Sequence, residues 1–257
     1  MLFLLYKYEI LKKHLPNLIT LLNLLSGSIA VIYAVHGELV LTAFFVFLGI
    51  FFDFFDGLAA RKLNVQSELG LQLDSLADMV TSGLVPGIVM FQLFNLTGPD
   101  WIEIGNNETI GLQSSLAVHS FLPFLGLLIT LSAAYRLAKF NISTNQSDSF
   151  IGLPTPANAL LILSFPLILE FQNSDTINSI ILNKWFLILI TLISAFLMNA
   201  PINLMALKFK TFSFKDNATR YLLLLLSVVL LVIFKFAALP LILILYIFIS
   251  LFYKVGS

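Results

Sequence analysis

Apolar runs long enough to cross a bilayer recur through this sequence, and they constrain its fold more than any other feature. A helix needs about 20 largely apolar residues to span hydrocarbon. Eight segments meet or approach that length: 16–36, 38–61, 72–95, 113–137, 155–172, 181–203, 219–235 and 238–253. Only 11% of the 257 residues are charged and 59% are hydrophobic, with a mean hydropathy of +0.97. Soluble domains carry roughly 25% charged residues, so this chain has too few to coat a water-soluble globule. The expected fold is an all-α polytopic membrane protein of about eight transmembrane helices.

The last two segments are short and separated by a turn near Pro240, which predicts a tight helical hairpin. Residues 1–14 (MLFLLYKYEILKKH) mix Lys7, Lys12 and Lys13 with Leu and Tyr, the pattern of an amphipathic helix lying at the interface. No internal repeat or linker divides the chain. It reads as an interfacial helix (1–14), a membrane core (15–203), and a basic loop with a C-terminal helix pair (204–257).

Lysine and arginine placement sets the orientation. With the N-terminus inside, twelve basic residues fall on inner segments and only Lys184 and Lys235 on outer ones. That bias obeys the positive-inside rule. It predicts a protein of the cytoplasmic membrane with both termini on the cytoplasmic side. The 96–112 loop is acidic and lacks Lys and Arg, as an outer loop should. The absence of cysteine excludes disulfides, cysteine-ligated metals and thiol nucleophiles. His14, His36 and His119 are isolated and form no metal-ligand spacing.

Asp53 and Asp56 interrupt the very apolar second segment, and Asp74 and Asp78 open the third. Each carboxylate within a bilayer costs about 2.5–3.5 kcal/mol on insertion scales, so such residues are functional candidates. Spacings of three and four put each pair on one helical face. A turn within 62–71 lets the two pairs face each other across an antiparallel hairpin. Four mutually repelling carboxylates need cations, and hard oxygen ligands without His or Cys point to Mg²⁺ or Mn²⁺. Gly57 and Ala60 remove bulk beside Asp56, Gly70 does so four residues before Asp74, and Arg61 brings a planar fork suited to phosphate oxygens.

The pattern Asp53-x2-Asp56-Gly57-x2-Ala60-Arg61-x8-Gly70-x3-Asp74-x3-Asp78 resembles the complete signature of the CDP-alcohol phosphatidyltransferases. The resemblance implies a six-helix core, here followed by the C-terminal hairpin, with CDP and two divalent cations held between the second and third spans on the cytoplasmic side. It implies Asp53, Asp56 and Asp74 as metal ligands, Asp78 as ligand and general base, and Gly57, Ala60 and Arg61 as lining of the CDP site, with Asp56 and Gly70 alongside. Asn17 and Thr20, at the entrance of the first span, either reach the nucleotide or cap the helix. A homodimer is a family-level expectation, and no nucleic-acid partner is expected.

The acceptor must be read from other stretches. LPNLITLLNLLSGSIAVIYA, SLADMVTSGLVPG, AAYRLAKFNIS, FIGLPTPANALLI and LMNAPINLMALKFKTFSFK resemble the integral-membrane phosphatidylserine synthases within that family. The resemblance implies transfer of phosphatidyl from CDP-diacylglycerol to L-serine. Serine brings a carboxylate to the membrane boundary, and Arg136 and Lys139, three apart, are placed to hold it, with Asn141 to orient the substrate. The alternative for Arg136 and Lys139 is simple positive-inside anchoring. Glycerol 3-phosphate or inositol phosphate are the rival acceptors within the family, and an ion-coupled transporter the rival outside it. Pro154 and Pro156 read as helix-start punctuation, and Gly83 and Gly87 as close-packing points.

Overall fold

The computed structural model describes residues 2–97, 121–142, 149–205 and 214–252. Ten α-helices carry the fold among these residues. They are α1 (Leu2–Val35), α2 (Leu39–Leu63), α3 (Glu68–Asp78), α4 (Val85–Asn95), α5 (Leu127–Ile142), α6 (Thr155–Phe171), α7 (Asp175–Ile181), α8 (Lys184–Asn199), α9 (Phe214–Phe234) and α10 (Ala238–Phe252). A 3₁₀ turn, Leu122–Gly126, leads into α5. Two three-residue strands, β1 (Ser149–Ile151) and β2 (Asn203–Met205), pair antiparallel with Phe150 opposite Leu204.

Among the described residues, five stretches are long and apolar enough to cross a membrane by themselves: His14–Val35, Leu39–Leu63, Glu68–Asn95, Leu122–Ile142 and Asn217–Leu251. The α7–α8 pair makes a sixth if its 56° bend is taken as one broken span. The fifth expected segment is the 17-residue α6, and the last two are α9 and α10, two helices that meet at the Lys235–Ala237 turn within one 35-residue apolar stretch.

Several boundaries differ from the sequence reading, each for a local reason. Helix α1 is continuous from Leu2, so the residues expected as a separate interfacial helix run unbroken through Pro16 into the first span. The C-terminal turn runs over Lys235–Ala237, with Lys235 at φ +50°, between the two segments expected at 219–235 and 238–253. Pro240 sits in the first turn of α10, where its missing N–H removes no intrahelical bond. The sixth segment leaves the helix after Asn199, because Pro201 ends it, and then enters β2. The fourth span extends to Ile142, beyond the expected 137. Its expected start at 113, the outer loop beyond Thr97, and Lys208, Lys210 and Lys254 lie outside the described residues.

The core is apolar and close-packed around α4, with Val85, Val89, Met90 and Leu93 fully buried against Ala30, Val46, Ile129 and Ile162. Phe44, Phe51, Leu131, Phe196 and Val232 are instead exposed on the outer faces. Lipid tails are as apolar as these side chains, so such faces suit a bilayer. Small residues bring the helices together. A Cβ at Gly49 of α2 would lie 2.6 Å from Thr81 Cγ2 and 2.8 Å from Asn23 Oδ1. A Cβ at Gly126 would lie 2.7 Å from the Phe91 nitrogen.

Between α3 and α4 the helix widens into a π-helical turn over Met79–Leu84, in which Val85 N–H donates to Val80 O. Pro86 supplies the cause: it has no N–H for the Ser82 carbonyl, and its ring would crowd that carbonyl in a regular α-helix. The Thr81 hydroxyl donates to Asn23 Oδ1 at 2.8 Å, tying the widened turn to α1.

Candidate active site

A four-residue turn sets the α2–α3 hairpin. Asn64 ends α2 in the left-handed region (φ 53°), and its N–H together with that of Val65 closes on carbonyls of the last helical turn. The Ser67 hydroxyl then caps α3 by accepting from Gly70 N–H at 3.1 Å. These two caps, both legible as Asn after a helix and Ser before one, make the reversal tighter than the expected 62–71.

The hairpin brings one carboxylate oxygen each of Asp53, Asp56 and Asp74 within 4.8 Å of one another. Two oxygens bound to one ion lie at most twice a metal–oxygen bond apart, about 4–5 Å for bonds of about 2.0–2.6 Å, so a single Mg²⁺-like cation can be reached by all three. Asp56 is buried, and the Thr20 hydroxyl donates to its Oδ2 at 2.6 Å. Asp78, one turn beyond Asp74, stands outside this trio. Its Oδ1 is buried without a hydrogen-bond partner, with Asn23 of α1 and Arg136 of α5 as neighbours.

The other signature residues gather on the same end of the hairpin. The Arg61 guanidinium reaches back over Gly57, both terminal nitrogens 3.9 Å from where a Cβ would stand, while the rest of Arg61 is exposed. Ala60 is half-buried beside it. Gly70 faces α1, and a Cβ there would sit 3.2 Å from Asn17 Oδ1. Asn17 and Thr20 therefore both face the hairpin. Neither caps a helix, since α1 begins many residues earlier.

The residues expected at the acceptor side separate into different environments. Arg136 is 9% exposed, and its Nε is buried with no hydrogen-bond partner. Its ionisable neighbours are Asp78 and Tyr246. Lys139 is exposed. Both polar ends of the Asn141 amide are engaged with α3: Oδ1 accepts from Ser75 Oγ at 2.9 Å, and Nδ2 donates to Gln72 Oε1 at 3.1 Å. Asn141 thus clamps α5 to the helix that carries Asp74 and Asp78.

The segment before α6 is tied down by backbone bonds, Gly152 N–H to Ile202 O at 2.9 Å and Leu153 N–H to Leu197 O at 2.8 Å. Gly152 has φ +73°, and a Cβ there would run into the Met198 carbonyl, so this turn requires glycine. Pro154 then caps α6 as expected of helix-start punctuation. Sequence reasoning missed Asn23, Thr155, Asn158 and Tyr246. Asn23 and Asn158 are fully buried amides in apolar spans, and that signal alone marks them. Thr155 Oγ1 and both amide atoms of Asn158 are buried without partners.

Residues 13–252 match the family model described as CDP-alcohol phosphatidyltransferase. The chain is 35% identical over 158 residues to the CDP-diacylglycerol–serine O-phosphatidyltransferase of Bacillus subtilis (strain 168), covering 59% of this chain and 76% of that protein. It is 34% identical over 151 residues to the enzyme of the same name from Helicobacter pylori (strain J99), covering 58% and 55%. An archaetidylserine synthase from Methanothermobacter thermautotrophicus is 29% identical over 154 residues, covering 59% and 57%. The chain spans little more than half the length of the latter two relatives. The family match takes in nearly the whole chain, and the chain belongs to the CDP-alcohol phosphatidyltransferase family.

Proposed function

We propose that this family member transfers the phosphatidyl group of CDP-diacylglycerol to the hydroxyl of L-serine, giving phosphatidylserine and CMP. The observation that carries the acceptor choice is Arg136. A buried guanidinium with an unpartnered Nε and Asp78 as its carboxylate neighbour calls for a small anion that also carries a hydroxyl. Serine meets both requirements with one carboxylate. Glycerol 3-phosphate and inositol phosphate bring a dianion, for which a denser basic cluster is expected than one buried Arg with an exposed Lys139. The names of the relatives agree on serine while differing in the lipid, which supports the same reading.

Asp53, Asp56 and Asp74, with Asp78 beside them, would hold two Mg²⁺ or Mn²⁺ ions, which when bound supply neutralising charge to the phosphate oxygens and to the leaving CMP. Thr20 fixes the carboxylate of Asp56 by its short hydrogen bond. Arg61, lying over the small Gly57, meets phosphate or cytidine from the exposed end of the hairpin, with Ala60, Gly70 and Asn17 leaving room for the nucleotide. Arg136 takes the serine carboxylate and brings its hydroxyl to Asp78. Asp78 accepts the hydroxyl proton as the serine oxygen bonds to phosphorus and the phosphorus–oxygen bond to CMP breaks. Direct in-line attack fits the site, because among the described residues the hydroxyls next to the carboxylates, Thr20 and Ser75, donate to Asp56 and Asn141 and no His stands with them.

The site belongs on the cytoplasmic side by the basic-residue asymmetry, with the lipid tails remaining in the bilayer. Assembly as a homodimer is part of the same proposal. Purified protein in mixed micelles with CDP-diacylglycerol tests it. Metal-dependent CMP release should require serine. Release supported equally by glycerol 3-phosphate or inositol, and not by serine, would overturn the acceptor assignment.

A further inference from the structure

The turn between α9 and α10 holds a lysine in a backbone conformation that lysine disfavours. Lys235 has φ +50°, in the left-handed region that glycine or asparagine adopts far more readily. The turn is braced on both sides of it. The Gln172 side chain, at the end of α6, donates to Phe234 O at 3.0 Å and accepts from Ala237 N–H at 2.9 Å. Phe236 packs on Phe171, with ring centroids 5.3 Å apart. Lys235 itself is exposed, and among the described residues no hydrogen bond or ion pair engages its ammonium. A strained residue persists only where its surroundings over-determine it, and such residues gather at ligand sites.

This turn borders a cleft of about 560 Å³, lined by Phe47 of α2, Leu160 of α6, Leu231 of α9, Lys235, Phe236 and Leu239 of α10. The volume is that of a small-molecule site, and Lys235 supplies the only charge of the lining. About 18 Å of helix separates Leu160 from Gln172 beside the turn. One leaflet of a bilayer has about 15 Å of hydrocarbon, half of the whole, so the cleft reaches about a leaflet deep. An apolar slot of that depth with a cation at its mouth matches the two parts of an anionic phospholipid, an acyl chain and a phosphate. A helix from a second copy would instead cover the ammonium with hydrocarbon and bring no counter-charge, which is costly.

We infer that this cleft binds an anionic phospholipid from the leaflet facing the Lys235 turn, with one acyl chain in the cleft and the phosphate on the ammonium. The bound lipid joins the C-terminal helix pair to α2 and α6. It is not the reacting substrate. No lining residue belongs to the carboxylate hairpin's signature, and Phe47 lies about 9 Å of helix before Asp53.

The test places the full chain in phosphatidylcholine nanodiscs with a trace of phosphatidylglycerol or phosphatidylcholine bearing a photoactivatable diazirine on one acyl chain. Crosslinked residues are mapped by mass spectrometry. The phosphatidylglycerol probe should mark the segments around Phe47, Leu160 and Leu239 ahead of other apolar faces such as that of Phe196. Lys235→Gly removes the charge and suits the left-handed backbone. It should cut this labelling about fivefold, the worth of one lysine facing an anionic lipid, and Lys235→Arg should keep it. Lys235→Gln carries the same prediction if the Gly variant is not recovered folded. Leu160→Trp, which fills the cleft, should remove the labelling there by either probe. Equal marking of the cleft by both probes, marking spread evenly over the outer faces, or marking unmoved in Lys235→Gly would overturn the inference. So would crosslinks showing a second copy of the chain in the cleft.

Discussion

Replacing Thr20 by Val probes the carboxylate trio without touching a carboxylate. The two side chains have nearly the same shape, so packing within α1 is preserved and only the hydroxyl is lost. That hydroxyl has one proton and two acceptors in reach, Asp56 Oδ2 at 2.6 Å and Pro16 O at 3.1 Å. The shorter contact is to the charged group and takes the proton. A hydrogen bond to a charged group contributes about 1.5–3 kcal/mol, and each 1.4 kcal/mol is tenfold in an equilibrium constant. If the bond orients Asp56 toward a shared cation, Thr20→Val should weaken Mn²⁺ binding by about tenfold or more. Titration of Mn²⁺ into the purified, substrate-free protein, followed by calorimetry or by loss of the free-ion spin-resonance signal, reads this directly. Thr20→Ser should restore most of the affinity. Unchanged or tighter Mn²⁺ binding in Thr20→Val would refute the reasoning, because the hydroxyl would then be a bystander or a competitor for the oxygen.

Asp78→Asn keeps the shape of a side chain whose Oδ1 is already without a partner; it should insert and fold while losing at least about a hundredfold in turnover, the usual share of a general base, as measured by CMP release. Asn141→Ala removes the bonds to Ser75 and Gln72. A clamp predicts a loss of about 1–2 kcal/mol, seen as a lower Tm with the serine KM unmoved, whereas a substrate-orienting role predicts the opposite pattern. Gly49→Ala puts a methyl 2.6 Å from Thr81 and 2.8 Å from Asn23 and should destabilise by about 1–3 kcal/mol, visible as a Tm drop in detergent.

The carboxylate hairpin was readable because charge inside an apolar run is costly and therefore rare. Asp53, Asp56 and Asp74 needed only helical spacing and one reversal to be brought together. Asp78 was legible as a member but not in its separate station, which depends on Asn23 and on the widened turn that follows. That turn arises from Pro86 acting on a carbonyl four residues back within a particular packing against Thr81, a tertiary effect that periodicity does not register. The β1–β2 pair was invisible for a related reason, since three residues are too few for an alternating pattern. Arg136 and Lys139 read alike as a basic pair at a span end, yet only Arg136 is buried, a difference set by packing that spacing does not register. The break between the last two segments was legible at 236–237, and the structure turns over Lys235–Ala237, with Pro240 just inside the first turn of the helix that follows.

The π-helical turn at Met79–Leu84 has a consequence for how this chain tolerates change. A helix carries its residues around the axis at about 100° per residue, and a π turn accommodates one extra residue in that progression. The face of α3 bearing Asp74 and Asp78 is therefore out of phase with the face by which α4 is anchored in the core. Angular phase is a quantity that no single side chain owns. Deleting one of the six residues would remove the widening and keep the phase, whereas drawing all six into a plain α-helix, with none lost, would swing the acidic face by about 100° relative to α4. Every residue of the constellation would still be present, aimed elsewhere. A change that straightens this turn without removing a residue should therefore silence the site more thoroughly than many substitutions within it.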